Sequence, residues 1–150
     1  MLLSRLRTDE SGSASLEFIT VGLIMLVPLV YLVIALASVQ SAAFAVEGGA
    51  RQAARVFVQG ASERDAEAMA IRAVQFALAD HGLTGSDVQM SVSCTPQPNA
   101  CLTRGGFVTV RVALFVPLPL APPALGEAFS IGVPLSATAT QRVSRFWGSG

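Results

Sequence analysis

The chain has 150 residues, enough for one small domain beside a single membrane segment. Hydrophobic residues make up 52% and charged ones only 13%, and ten basic residues, all arginine, balance ten acids. A net charge of zero gives no electrostatic case for nucleic acid or for an acidic partner. The absence of lysine rules out a P-loop lysine, and neither Gly-x-Ser-x-Gly nor His-Glu-x-x-His occurs.

Residues 1–12 form a short charged leader, with Arg5 and Arg7 followed by Asp9 and Glu10. Gly12 closes it, and the small residues Ser13, Ala14 and Ser15 lead to Glu17. The next 29 residues carry no charge until Glu47. From Phe18 to Ala37 this is about 20 residues, or ~30 Å of helix, the thickness of a hydrocarbon core. A membrane-spanning segment is therefore expected. An ionised carboxylate at the mouth of such a segment has to find a partner or take up a proton. A cut after Gly12 would put a new α-amino group one helical turn from Glu17, where the two charges can neutralise each other within a chain or between neighbours. The competing reading is a secretory signal cleaved at Ala35-Leu36-Ala37. Against it, an apolar signal core runs to about 7–15 residues and does not open on a carboxylate. Arg5 and Arg7 on one side are matched by Arg51 and Arg55 on the other, so the positive-inside rule does not orient the segment.

At GSASLEF and the apolar run behind it, the sequence resembles a type IV pilin-like precursor, and most specifically the TadE-like minor pilins (pseudopilins) of tight-adherence pilus systems. The resemblance is tightest over residues 5–58. It implies that a prepilin peptidase cuts between Gly12 and Ser13, and that Glu17, fifth in the mature chain, guides assembly with other pilin or pseudopilin subunits. It also implies a subunit resident in inner-membrane lipid with its remainder outside the cytoplasm. Many type IV pilins begin the mature chain with Phe, whereas this one would begin with Ser13.

Beyond Ala37 the helix is expected to continue to about residue 60. Val39, Ala43, Val46, Ala50, Ala53 and Phe57 recur at spacings of three and four, while Gln40, Glu47, Arg51 and Arg55 take the wetter faces. Pro28 removes a backbone bond and is expected to kink the helix, and Gly48-Gly49 is a second soft point. Residues 61–150 are read as a small α+β domain. Ser62 caps a second helix with Asp65 returning toward it, and Ala66, Met69, Ala70, Ala73, Phe76 and Ala77 are expected to line its buried face. Asp80-His81-Gly82 ends it, His81 acting on the helix dipole.

Alternation then takes over. Val88, Met90, Val92 and Cys94 make a half-buried strand, FVTVRVALFV from Phe107 to Pro117 a second, and Phe129 to about Val143 a third. Two prolines in TPQPNA interrupt the ladder between Cys94 and Cys101, and Pro117 to Ala128 is a proline-rich connection. Three strands with turns between them favour an antiparallel sheet, one face covered by the long helix. An even cysteine pair suits an oxidising compartment, and Cys94–Cys101 is expected to be a disulfide closing the loop, since two thiols cannot close a zinc site. No catalytic residue, metal or cofactor is expected. Phe146 and Trp147 are either an interaction site or part of a loose tail. Two further functions stay open: a membrane-anchored extracytoplasmic binding domain that joins no filament, and a secreted soluble domain released near Ala37.

Overall fold

The computed structural model describes residues 13–84, 87–119 and 132–148. Two helices, α1 (Ser13–Phe57) and α2 (Glu63–Ala79), precede three strands, β1 (Val88–Thr95), β2 (Phe107–Pro117) and β3 (Gly132–Arg142). The fold is α+β, with a long apolar N-terminal helix, one further helix and an antiparallel meander in the order β1-β2-β3. Internal contacts divide the chain after Ala37, so that residues 38–57 of α1 belong with α2 and the sheet.

In the first unit, α1 continues unbroken past Pro28. From Ala14 to Leu36 every side chain except those of Tyr31 and Ala35 is exposed. Leu16, Phe18, Ile24, Met25 and Leu32 are each more than 60% accessible. The helix is long and apolar enough to cross a membrane. Uniform apolarity around its circumference, and not a single stripe, is what a lipid-facing helix requires.

In the second unit, α1 buries Ala42, Ala45, Val46, Ala50, Ala53, Ala54 and Phe57. The expected stripe is thus corrected at two places. Ala43 is exposed and Val39 only half-buried, because the face that packs is doubled at each turn (Ala45 with Val46, Gly49 with Ala50, Ala53 with Ala54) and lies to one side of Ala43. Gln40, Glu47, Arg51 and Arg55 are exposed, as their polarity requires, and Arg51 pairs with Glu47 one turn away. Gly48-Gly49 does not interrupt the helix.

Ser62, in extended conformation, caps α2 by accepting from the Asp65 N–H at 3.2 Å. At the other end, the Gly82 N–H donates to the Ala79 carbonyl (2.9 Å) and the Leu83 N–H to the Leu78 carbonyl (3.0 Å), a Schellman closure that needs the left-handed φ of 72° at Gly82. The buried face of α2 is Ala66, Ala70, Val74 and Leu78. Phe76, expected on that face, is 70% exposed. It lies two residues from Val74, about 200° round the helix, and a strict spacing of four is the ridge that packs.

The sheet alternates as its sequence does. Val108, Val110, Val112, Leu114 and Val116 of β2 point inward and are buried. They form cross-strand rows with the neighbours, such as Met90–Val112–Ala137 and Val92–Val110–Ala139. On the outer face, the Thr109 and Thr140 hydroxyls meet at 2.9 Å. β3 begins at Gly132; the expected start at Phe129 and most of the proline-rich connection lie outside the described residues. α1 lies toward β3, with Ala43 and Val46 beside Leu135 and Ala137, and α2 toward β1, with Ile71 and Val74 beside Val88 and Met90. The common core is small-grained: its largest side chains below 2% exposure are Val46, Val108, Val110, Val112 and Val143.

Candidate functional site

α1 begins at Ser13, and Glu17 follows four residues later on the same helix, a rise of about 6 Å. Glu17 is exposed, and the Thr20 hydroxyl in the next turn donates to the Leu16 carbonyl at 2.7 Å, satisfying a polar group inside an otherwise apolar stretch. Among the described residues Glu17 is the one charged side chain before Glu47. Gly12 lies outside the described residues, as do residues 1–11, the rest of the expected leader. Ser13, the carboxylate and the apolar surface therefore lie on one continuous helix, and the expected cleavage junction joins Ser13 to a residue outside the described ones.

Cys94 and Cys101 are joined by a disulfide, with their Cα atoms 5.1 Å apart. Cys94 is the buried end of the otherwise half-buried inward row of β1 and Cys101 lies in the loop that follows, so the bond ties that proline-containing loop to the sheet. The Cys101 N–H donates to Glu63 Oε1 at 2.7 Å, which joins the same loop to the first turn of α2. His81 sits at the end of α2 with Nδ1 2.9 Å from the Ser41 hydroxyl, bridging the two helices. That contact adds a side-chain partner to the expected role at the helix end. Among the described residues, no three His, Cys, Asp or Glu side chains gather as metal ligands.

The tail fits neither of its two expected roles at Trp147. Trp147 packs against the core, half-buried, and its Nε1–H donates to the Gly60 carbonyl at 3.1 Å. Its own carbonyl accepts from Arg104 Nε at 2.8 Å. Phe146 is 80% exposed. The sequence signal for this docking is an indole following a strand that ends beside Gly105-Gly106. An indole N–H placed against a core needs an acceptor, and the bend after α1 supplies one.

The fold also brings together a group of arginines that no expected site contains. Arg104, Arg142 and Arg145, far apart in sequence, surround the Gly105 turn: Arg142 Nε donates to the Gly105 carbonyl at 3.3 Å, and a Cβ built on Gly105 would stand 3.9 Å from Arg145 Cγ. The signal available was the run of acid-free sequence on both sides of that turn. No protein-family model, curated protein or solved structure matches the chain.

Proposed function

We propose that the chain is a pilin-like subunit of the TadE-like minor pilin (pseudopilin) kind, matured by a prepilin peptidase that cuts between Gly12 and Ser13. It resides as a single-pass protein of the inner membrane, with residues 38–150 on the extracytoplasmic side, and takes part in assembly of a tight-adherence-type pilus or secretion filament. The observation that carries this reading is the position of Glu17. It is the one carboxylate among the described residues before Glu47, and the apolar side chains that follow it as far as Leu36 are exposed, Tyr31 and Ala35 excepted. The disulfide supports the extracytoplasmic placement, because such bonds persist in oxidising compartments.

Moving an apolar helix from lipid into a bundle of similar helices gains little hydrophobic free energy, since both surroundings are apolar. Direction and register come from the charge. A carboxylate left unpaired in such a bundle is costly, and the free amine of a neighbour's Ser13 relieves that cost. The leader blocks this pairing until it is removed, so cleavage and assembly are ordered by one electrostatic requirement.

The test is the mature N-terminus together with two substitutions. N-terminal sequencing of the membrane-resident protein should read Ser13; an intact Met1 indicates a plain anchored domain, and a start near Ser38 a secreted one. Gly12→Val should leave the precursor uncut, because the peptidase needs a residue without a side chain at the junction. Glu17→Gln should be cut and inserted normally but lose co-purification with pilus subunits at equal membrane abundance. Normal maturation of Gly12→Val, or unchanged association of Glu17→Gln, refutes the proposal.

A further inference from the structure

The zero net charge of the chain conceals a segregation. Among the described residues from Val88 onward there are four arginines (Arg104, Arg111, Arg142 and Arg145) and no acid. Three of the four converge on one turn. Arg104 is held by its Nε–H to the Trp147 carbonyl at 2.8 Å, and a guanidinium nitrogen lies 3.4 Å from the Gly148 carbonyl. Arg142 is held by the Gly105 carbonyl and lies over Phe107, with 5.7 Å from its central carbon to the ring centroid. Arg145 borders the same turn. All three side chains are exposed. Among the described residues none of them has a carboxylate within ion-pair distance; the ion pair found there is Arg51–Glu47 on α1. The nearby carboxylate of Glu63 is engaged by the Cys101 N–H.

This arrangement costs the free protein something. Three like charges around a turn repel, and elsewhere in the chain arginines alternate with acids, as in Glu63-Arg64-Asp65. Two of the three guanidinium groups are also pre-oriented by backbone carbonyls and by a ring face, which reduces the entropy lost when they grip a ligand. The flanks are apolar: Phe107 is 46% exposed and Phe146 80% exposed. The Gly105 turn meets the tail at Trp147, which is seated on the Gly60 bend, so the cluster stands at the end of the domain where α1 finishes.

We infer that the Arg104–Arg142–Arg145 turn, with Phe107 and Phe146 beside it, is a docking surface for an acidic segment of a partner protein carrying an apolar side chain between its carboxylates. Guanidinium forks match carboxylates in two-point geometry, and the phenylalanines offer the apolar contact that a bare polyanion would leave unused. Three cations are also few for a nucleic-acid track, where extended phosphate contacts carry the affinity. Nothing in this surface depends on cleavage after Gly12 or on the pairing of Glu17.

The experiment uses the full chain in nonionic detergent micelles, with empty micelles as blank. The probe is a short fluorescein-labelled peptide of alternating Glu and Ser with one central Phe, read by anisotropy at low salt. The same peptide with Gln for Glu, and a labelled thymidine oligonucleotide, are run alongside. Wild type should bind the Glu peptide, weaken as salt is raised, and bind the Gln peptide at least about fivefold less well. Arg145→Glu should lose about fivefold or more in affinity, and Arg145→Ala a smaller amount in the same direction. Arg111→Glu, a cation outside the turn on the outer sheet face, should change affinity by less than about twofold. No binding of the Glu peptide by wild type, equal binding by Arg145→Glu, an equal loss in Arg111→Glu, or preference for the Gln peptide or the oligonucleotide would each overturn the assignment.

Discussion

Gly60, in the bend between the two helices, carries a steric demand that a single methyl group exposes. A Cβ built there stands 2.6 Å from Ala66 Cβ, 2.7 Å from Ala66 Cα and 2.9 Å from the Ala66 nitrogen. Two of those atoms are backbone in the first turn of α2, so no side-chain rotation relieves the clash. Gly60→Ala therefore has to push α2 away from the bend. Overpacking of this kind costs about 1–3 kcal/mol. The Gly60 carbonyl also accepts the Trp147 indole N–H at 3.1 Å, and displacing it adds about 1 kcal/mol. A total loss of about 2–4 kcal/mol is expected from these two effects. Gly48→Ala should behave oppositely. Nothing lies within 4 Å of a Cβ there, and the site is an exposed helix interior, so alanine should stabilise by about 0.5–1 kcal/mol. The assay is urea unfolding of the domain in full-length protein held in mild detergent, followed by emission of the lone tryptophan, Trp147, which sits on the bend. A Gly60→Ala midpoint equal to wild type, or below-wild-type stability of Gly48→Ala, would refute the packing described at these two positions.

Leu78→Ala should cost about 2–5 kcal/mol while Phe76→Ala stays within about 0.5 kcal/mol, and urea midpoints giving the reverse order would restore the face expected from sequence. Replacing Cys94 and Cys101 together by serine should lower domain stability by about 2–3 kcal/mol, the value for closing a short loop; equal midpoints with and without the bond would show that the loop is held by other contacts. Alkylation of unreduced protein from its native compartment should label neither thiol. Arg51→Ala should change stability by less than about 0.5 kcal/mol, because the Glu47–Arg51 pair is 49–71% exposed; a loss above about 1 kcal/mol would give that pair a structural role.

The architecture was legible in the sequence because two periods and two caps mark it. Alternation in VQMSVSC and FVTVRVALFV places β1 and β2, and Ser62 with Gly82 brackets α2. The uncharged run after Glu17 marks the apolar half of α1 by composition alone. What periodicity missed is finer. A stripe of alanines has little contrast, so Ala42 and Ala43 read alike, and which one packs is set by the neighbouring helix and sheet. Hydrophobicity alone places Phe76 inward, yet the four-residue ridge of Ala66, Ala70, Val74 and Leu78 excludes it. The docking of Trp147 on Gly60 and the grouping of Arg104, Arg142 and Arg145 depend on long-range closure: an indole after β3 and an acid-free run mark the participants, but no local pattern names their partners. At the N-terminal site, Glu17 and the apolar run were plain from composition, whereas the role assigned to Gly12 rests on its position before Ser13.

The alanine-and-valine grain of the core sets which mutations the domain can survive. With Val46, Val108, Val110, Val112 and Val143 as its largest fully buried side chains, few truncations there can open a cavity as wide as a lost leucine or phenylalanine would. Added volume is the danger instead. Ala50, Ala53, Ala54, Ala66 and Ala70 are each at 0% exposure, so a valine at any of them must lever a helix off its neighbour. Substitution in this core would thus be filtered asymmetrically: growth is barred at the buried alanines, while shrinkage is costly chiefly at its few larger side chains, such as Phe57 and Leu78. A saturation scan should show that asymmetry as depleted large residues at these five alanines.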